Sequence, residues 1–285
     1  MPSSSSASSS AAPWLGLVVG NTRLHWGLFY QQQWQAVWHT PHLTAPQVAA
    51  LIDQQFDLAA WRSLQLLDQD TLDELAPLTA IATSPSPLRL YGASVVPAQT
   101  ALWQSYSGFR EVTLADIPLA NLYPSLGIDR ALNLLGAGDR YGWPILVIDA
   151  GTALTFTAGT AERFIGGAIL PGLTTQFATL AANTANLPTA HLPTALPSRW
   201  ASNTAAAIHS GVIYGTLATL TDYLQAWQQE YPTGYVVLTG GDGSRLYQWW
   251  QQHHQKTPGM AVEPHLTFFG LSRLQPALLA TDPQF

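Results

Sequence analysis

Hydrophobic and polar positions along WLGLVVGNTRLHWGLFY, residues 14–30, predict two strands joined by a tight turn at Gly20-Asn21-Thr22. Leu24, Trp26 and Leu28 interleave with Arg23, His25 and Gly27, the period-two pattern of a half-buried strand. WQAVWH predicts a third strand. Thr44 followed by Gln47 forms a capping-box pattern for a helix over PQVAALIDQQF. LRLYGASVVP predicts another strand, with a helix starting near Pro97. In LGIDRALNLLGAGDRYG the apolar residues Ile128, Ala131, Leu132 and Leu135 recur at helical spacing, and this segment is the expected connection between two lobes. Beyond it, PILVIDAG predicts a buried strand, TALTFTAGT an alternating one and RFIGGAIL a third. Helices follow over PGLTTQFATLAAN and NTAAAIHSGVIYGTLATLTDYLQAWQQ, then an apolar strand in YVVLTGGDG and a helix from about Ser244.

Residues 15–29 and 146–157 repeat one scheme: apolar strand, glycine turn with a hydroxyl residue, alternating strand. Superposing Gly20 on Gly151 sets Thr22 near Thr152 and Val18 on Asp149. A chain of 285 residues has room for two lobes with a cleft between them. The expected division is a tail over 1–13, an N-terminal lobe over 14–126 and a C-terminal lobe over 127–285.

Composition narrows the class of partner. Hydrophobic residues make up 47%, ample for two cores, while a net charge of −6 with only 10% charged residues argues against nucleic acid. The absence of cysteine excludes disulfides, zinc-thiolate sites and thiol nucleophiles, and suits a reducing cytosol. The opening MPSSSSASSSAAP has neither the basic start nor the apolar run of a secretory signal, and reads as a disordered tail. No stretch approaches the about 20 apolar residues of a membrane span, so a soluble cytoplasmic protein is expected. His253-His254 lies in a glutamine-rich surface run, and Asp68, Asp70 and Asp73 read as a solvated helix start rather than a calcium loop. The eleven tryptophans are scattered as core anchors.

Candidate chemistry centres on phosphate. The chain has a single lysine, Lys256, and no GxxxxGK[ST], so a P-loop enzyme is excluded. What remains is phosphate binding by backbone amides and hydroxyls in glycine turns, with metal ions. Gly20-Asn21-Thr22, Gly151-Thr152 and Thr239-Gly240-Gly241-Asp242 are three such turns, each directly after an apolar strand. Asp149 ends a buried strand, where a carboxylate can hold a cation. Asp129 and Arg130 open a helix; the arginine suits a carboxylate or phosphate, and the aspartate can accept a hydroxyl proton.

The run YPSLGIDRALNLLGAG, VIDAGTALTF, GGAILPG, TANLP, NTAAAIHSG and TGGDG resembles the type III pantothenate kinases, in that family's order and over nearly all the chain from Trp14. GNTRLHWG resembles the cyanobacterial members. The resemblance implies two actin-like, ribonuclease H-like α/β lobes, a homodimer, and ATP-dependent phosphorylation of pantothenate with Mg2+ and a monovalent cation, K+ or NH4+. It implies that Gly20, Asn21 and Thr22 form the first phosphate loop, with Val18, Val19, Arg23, Leu24 and His25 in the same ATP-binding stretch. Gly127, Ile128, Asp129 and Arg130 match the pantothenate-binding GxDR, with Asp129 the proton acceptor. Thr152 matches an ATP contact, Asp149 the monovalent-cation ligand, and Thr204 a pantothenate contact reaching across a dimer interface. Three positions depart from the family pattern. Val18 replaces the aspartate of the first loop, Thr157 replaces the last aspartate of DxGTAxTxD, and Ala120 stands where a substrate tyrosine is usual, with Tyr123 nearby. Val18 leaves open a nucleotide-binding regulatory homologue, and the fold alone leaves open another small-molecule kinase.

Overall fold

The computed structural model describes residues 12–30, 33–76, 78, 87–185, 187–188, 190–252 and 259–281. His253, His254, Lys256 and most of the expected tail lie outside the described residues. The chain forms two compact units. The first takes the chain up to Pro118, Tyr123–Leu132 and the residues from Thr267 onward; the second takes Leu119–Leu122 and Asn133–Leu266. The contacts thus assign the C-terminal segment and the start of the GIDR helix to the first unit.

In the first unit β1 (Trp14–Val19) is the central strand. It pairs antiparallel with β2 (Leu24–Tyr30), which pairs antiparallel with β3 (Gln33–Thr40). On its other side β1 runs parallel to β4 (Arg89–Ser94), which runs parallel to β5 (Phe109–Glu111). Leu15, Leu17, Val19, Leu24, Trp26 and Leu28 bury one face against α1 (Ala45–Asp53), α2 (Leu58–Leu64) and α3 (Gln69–Glu74). Gln47 accepts the backbone amide of Thr44 at 2.8 Å, the predicted capping box of α1. Asp57 and Asp68 cap α2 and α3, each accepting an amide three residues on, so Asp68 is a helix cap. Pro97 opens the single turn α4 (Pro97–Thr100). Tryptophan indeed anchors this core: Trp26 meets Trp61 and Trp103 edge-on, with ring centroids 5.1 and 5.3 Å away. Trp200, 90% exposed, is an exception.

The expected half-buried alternation of β2 holds only to Trp26; Gly27, Leu28 and Phe29 are all buried. The cause is the helix Leu266–Ala280, which the sequence pattern does not announce because Gly270 and Pro276 interrupt it. Phe268 on this helix lies 3.1 Å from where a Cβ on Gly27 would sit, so both faces of the strand are covered. Gly270 is there for close approach: a Cβ would fall 2.2 Å from the carbonyl oxygen of Leu132.

The second unit repeats the plan. β6 (Ile145–Ala150) pairs antiparallel with β7 (Ala153–Thr160), and β7 with β8 (Arg163–Pro171). On the other side β6 runs parallel to β9 (Tyr235–Thr239), and β9 to β10 (Met260–Val262). Both sheets therefore have the order 3-2-1-4-5 with strand 2 antiparallel, the duplication expected of two ribonuclease H-like α/β units. The helix that starts at GIDR, here α5 (Ile128–Tyr141), enters this unit at Asn133. One sheet face packs on α6 (Leu173–Ala182), α7 (Thr204–Glu230) and α8 (Gly243–Gln251) through Ile148, Phe156, Ile213, Leu217 and Leu246. The expected alternation of β7 also gives way: Leu154, Thr155, Phe156 and Thr157 are all buried. A Cβ on Gly159 would lie 3.1 Å from Leu134 of α5, which covers the second face. The helix Leu266–Ala280 is α9. Among the described residues, no helix is long and apolar enough to cross a membrane.

Candidate active site

In the first unit the turn after β1 is closed by the Gly20 amide, which donates to the Arg23 carbonyl at 3.1 Å. The amide of Val95, just past β4, donates to the carbonyl of Val19 at 3.1 Å. Val95 in turn lies 3.9 Å from where a Cβ on Gly127 would be. The GNT turn and the GIDR turn thus share the carboxyl end of the parallel strands β1 and β4, the end where open α/β sheets bind ligands. Thr22 and Asn21 are exposed in this turn, whereas Val19 and Leu24 are core residues that offer a ligand only backbone. Val18 is 8% exposed and sits in register with His25 on β2 and Ala93 on β4, so the expected position of a carboxylate is apolar.

The GIDR turn is built around its carboxylate. Asp129 Oδ1 accepts the Arg130 amide at 2.8 Å. A Cβ on Gly127 would lie 2.4 Å from that oxygen, so a larger residue there would push the carboxylate from this position. Burial pushes the Asp129 carboxyl above the ordinary range, opposed by the amide and the positive charge of Arg130. A base with a raised pKa is better matched to taking a proton from an alcohol than an ordinary carboxylate. Arg130 is not a solvated side chain: it is 6% exposed, and Nη1 donates to the Tyr123 hydroxyl at 3.1 Å. Tyr123 therefore joins the GIDR cluster directly. Ala120 instead bridges to Arg163 in the second unit.

In the second unit three glycine turns interlock through their backbones. The Gly151 amide closes the first turn on the Ala153 carbonyl at 3.0 Å. The Thr152 carbonyl accepts both the Gly172 amide at 3.0 Å and the Thr175 hydroxyl at 2.7 Å. The Asp242 amide donates to Ala150 at 3.0 Å. Ala150, Gly151, Gly172, Leu173, Thr216 and Asp242 line one depression. Gly172 precedes α6 and has no space for a side chain, since a Cβ would fall 2.0 Å from the Gly151 carbonyl oxygen. Burial raises the Asp242 carboxyl, and Arg245 opposes the shift. The Asp149 carboxylate projects from β6 between Thr155 and Thr239, its strand neighbours, and Oδ2 accepts Asn133 Nδ2 at 2.9 Å. Thr157, which replaces the family's last aspartate, is buried on the same face.

Asn133, Gly172 and His42, whose Nε2 is bonded to the Gly20 carbonyl at 2.8 Å, belong to these clusters but were not singled out by the sequence pattern. Asn133 carried a signal, being four residues past Asp129 on one helix and hence on its face. Gly172 and His42 act through contacts between distant segments, and no local spacing reveals them. Thr204 is the exposed first residue of α7, whose preceding Asn203 caps the helix by accepting the Ala206 amide at 2.9 Å. Asp149 offers carboxylate oxygen, and its strand neighbours Thr155 and Thr239 are hydroxyl residues, the donor type that hard cations take. Among the described residues no three His, Asp or Glu converge to hold a metal by themselves.

Two 3-2-1-4-5 sheets, each with a glycine turn after its central strand, define an α/β protein of the actin-like ATPase and sugar-kinase fold. Solved structures share that fold at low identity. One is a candidate Baf family transcriptional activator from Campylobacter jejuni, 16% identical with a TM-score of 0.58, covering 93% of this chain and 99% of that one. Another is a candidate 2-dehydro-3-deoxygalactonokinase protein from Sinorhizobium meliloti, 13% identical with a TM-score of 0.53, covering 95% and 99%. The family profile described as type III pantothenate kinase matches residues 14–226. The type III pantothenate kinase of Nostoc sp. is 42% identical over 265 residues, covering 92% of this chain and 94% of its own length. Those of Synechocystis sp. and Synechococcus elongatus are each 40% identical, covering 92% and 94% of this chain and 90% and 98% of their own lengths. The chain belongs to the type III pantothenate kinase family.

Proposed function

We propose that this chain transfers the γ-phosphoryl group of ATP to the primary hydroxyl of pantothenate, giving 4'-phosphopantothenate, the first step of coenzyme A synthesis. The observation that carries the reading is the GIDR turn, with its raised carboxyl, the close approach of Gly127 to it and the buried Arg130 tied to Tyr123. Asp129 takes the hydroxyl proton as the bond to phosphorus forms, while Arg130 and Tyr123 orient the pantothenate carboxylate. The glycine-turn residues Gly20, Asn21, Thr22, Gly151 and Thr152 hold phosphate oxygens through amides and hydroxyls. A magnesium ion accompanies ATP and supplies charge neutralisation, and Asp149, oriented by Asn133, holds a monovalent cation. The enzyme works in the cytoplasm as a homodimer, with Thr204 reaching the partner's pantothenate. Complementation tests the reading: the chain should restore growth to a strain stripped of its own pantothenate kinase, and Asp129→Asn should not. Failure of the parent to complement while expressed and folded contradicts it.

Two results are expected of the ion-binding residues. With one lysine in the chain and a carboxylate at the end of β6, turnover should rise with potassium or ammonium and not with sodium. Asp149→Ala should abolish that response, and equal rates in sodium-only and potassium buffers would contradict the assignment. Val18 should show itself as weak nucleotide binding, since losing a charged contact is worth ~1.5–3 kcal/mol, or roughly ten- to more than a hundredfold in affinity. Val18→Asp should tighten ATP binding if the position is a vacant ligand site, at some cost in stability because the strand is apolar. Unchanged affinity in a folded variant would show that magnesium-ATP is held without that position.

A further inference from the structure

Two imidazoles, those of His42 and His25, stand at the turn after β1. His42, beyond the end of β3, is bonded through Nε2 to the carbonyl oxygen of Gly20 at 2.8 Å. A carbonyl only accepts, so the proton resides on Nε2 and the ring is the donor. His25, across from Val18, has its Nε2 3.8 Å from where a Cβ on Gly20 would be. Its ring meets His39 edge-on with centroids 4.6 Å apart. The Val18 side chain brings no polar atom to this end of the strand.

The His42 bond has a directional consequence. The peptide between Gly20 and Asn21 is planar and trans, so its carbonyl and its N–H point in opposite directions. Holding the Gly20 oxygen on His42 turns that oxygen, which would repel a phosphate, to one side and aims the Asn21 amide to the other. Glycine at position 20 makes this plane easy to rotate, and the Gly20 amide bond to Arg23 does not fix it, because that bond lies on the preceding peptide. We infer that His42 is a positioning residue for the phosphate-binding turn: its Nε2–H sets the peptide plane that presents the Asn21 amide to an ATP phosphate oxygen. The inference rests on the proposed nucleotide role of this turn. It involves no proton transfer and no metal ligand.

Three substitutions and two readouts test it. His42→Phe keeps a ring and loses the donor; His42→Asn keeps polarity, but its amide reaches only as far as Nδ1. His42→Gln places an amide nitrogen where Nε2 was. Calorimetric binding of a non-hydrolysable ATP analogue should weaken about three- to tenfold in the Phe and Asn variants, the range of one lost hydrogen bond. KM for ATP should rise with it, KM for pantothenate should not, and His42→Gln should recover most of the affinity. Binding by His42→Phe and His42→Asn equal to the parent overturns the inference, and so does a Gln variant as weak as the Phe variant. If the parent itself binds no analogue, the nucleotide reading of the turn fails and the inference with it. Should the Phe variant not fold, the Asn and Gln pair carries the same comparison.

Discussion

Asp129→Asn is expected to lower kcat by about 10²–10⁴-fold, the usual contribution of a general base, with little change in KM for pantothenate. The asparagine keeps the shape that Gly127 leaves room for and still accepts the Arg130 amide, so the fold should survive. The same substitution should stabilise the protein at neutral pH. Burial raises the Asp129 pKa in the folded state, so the folded chain holds a proton that the unfolded chain has already released. Stability therefore falls as pH climbs from the unfolded pKa through the raised folded one, and the full penalty applies above it. An amide carries no such penalty. Melting temperatures of parent and variant should converge at low pH and separate toward neutrality, with the variant higher. The raised carboxyl also places the acid limb of kcat/KM above the ordinary carboxylate range in the parent. Turnover within about threefold of the parent would remove Asp129 from the role of base.

Gly240→Ala should cost both stability and turnover. Gly240 has a φ of +82°, which alanine adopts only with strain, typically about 1–3 kcal/mol. Its Cβ would lie 2.4 Å from Asp149 Oδ1 and 2.7 Å from the Ala150 carbonyl. Relief requires the TGGD turn to move away from the central strand, breaking the Asp242–Ala150 bond and freeing the Asp149 carboxylate from its place. We expect a melting point lower by several degrees and ATP-dependent turnover reduced by at least an order of magnitude. Gly241→Ala is the internal control. A Cβ there has nothing within 4 Å, so its melting point should match the parent. Equal melting and equal turnover for the two variants would show that the close packing of this turn on Asp149 is not what holds it.

The parts of this architecture that repeat along the chain were legible, because apolar strands followed by glycine turns are local signals. WLGLVVGNT and ILVIDAGT announce the centres of both sheets, and Thr44 with Gln47 announces α1. Alternation failed as a guide to exposure in β2 and β7 because each is covered on its second face by a helix from elsewhere, α9 or α5. Helix α9 itself was hidden by Gly270 and Pro276, the first of which is explained by a carbonyl on a distant helix. β5 and β10, three residues each, are too short to carry a period. In the GIDR cluster, Asp129 and Arg130 were readable as a pair, but the burial of Arg130 and its bond to Tyr123 were not. Isolated sequence favours a solvated arginine, and only tertiary packing buries one. His42 lies 22 residues from Gly20, a separation over which spacing carries no information.

The measurement that bears most directly on the account is ADP release by the purified chain with ATP, magnesium and potassium, across a panel of hydroxyl acceptors. The account predicts release that depends on pantothenate, yields 4'-phosphopantothenate, and is lost in Asp129→Asn. Tight nucleotide binding without pantothenate-dependent release, or turnover of a sugar or carboxylate in preference to pantothenate, would contradict it.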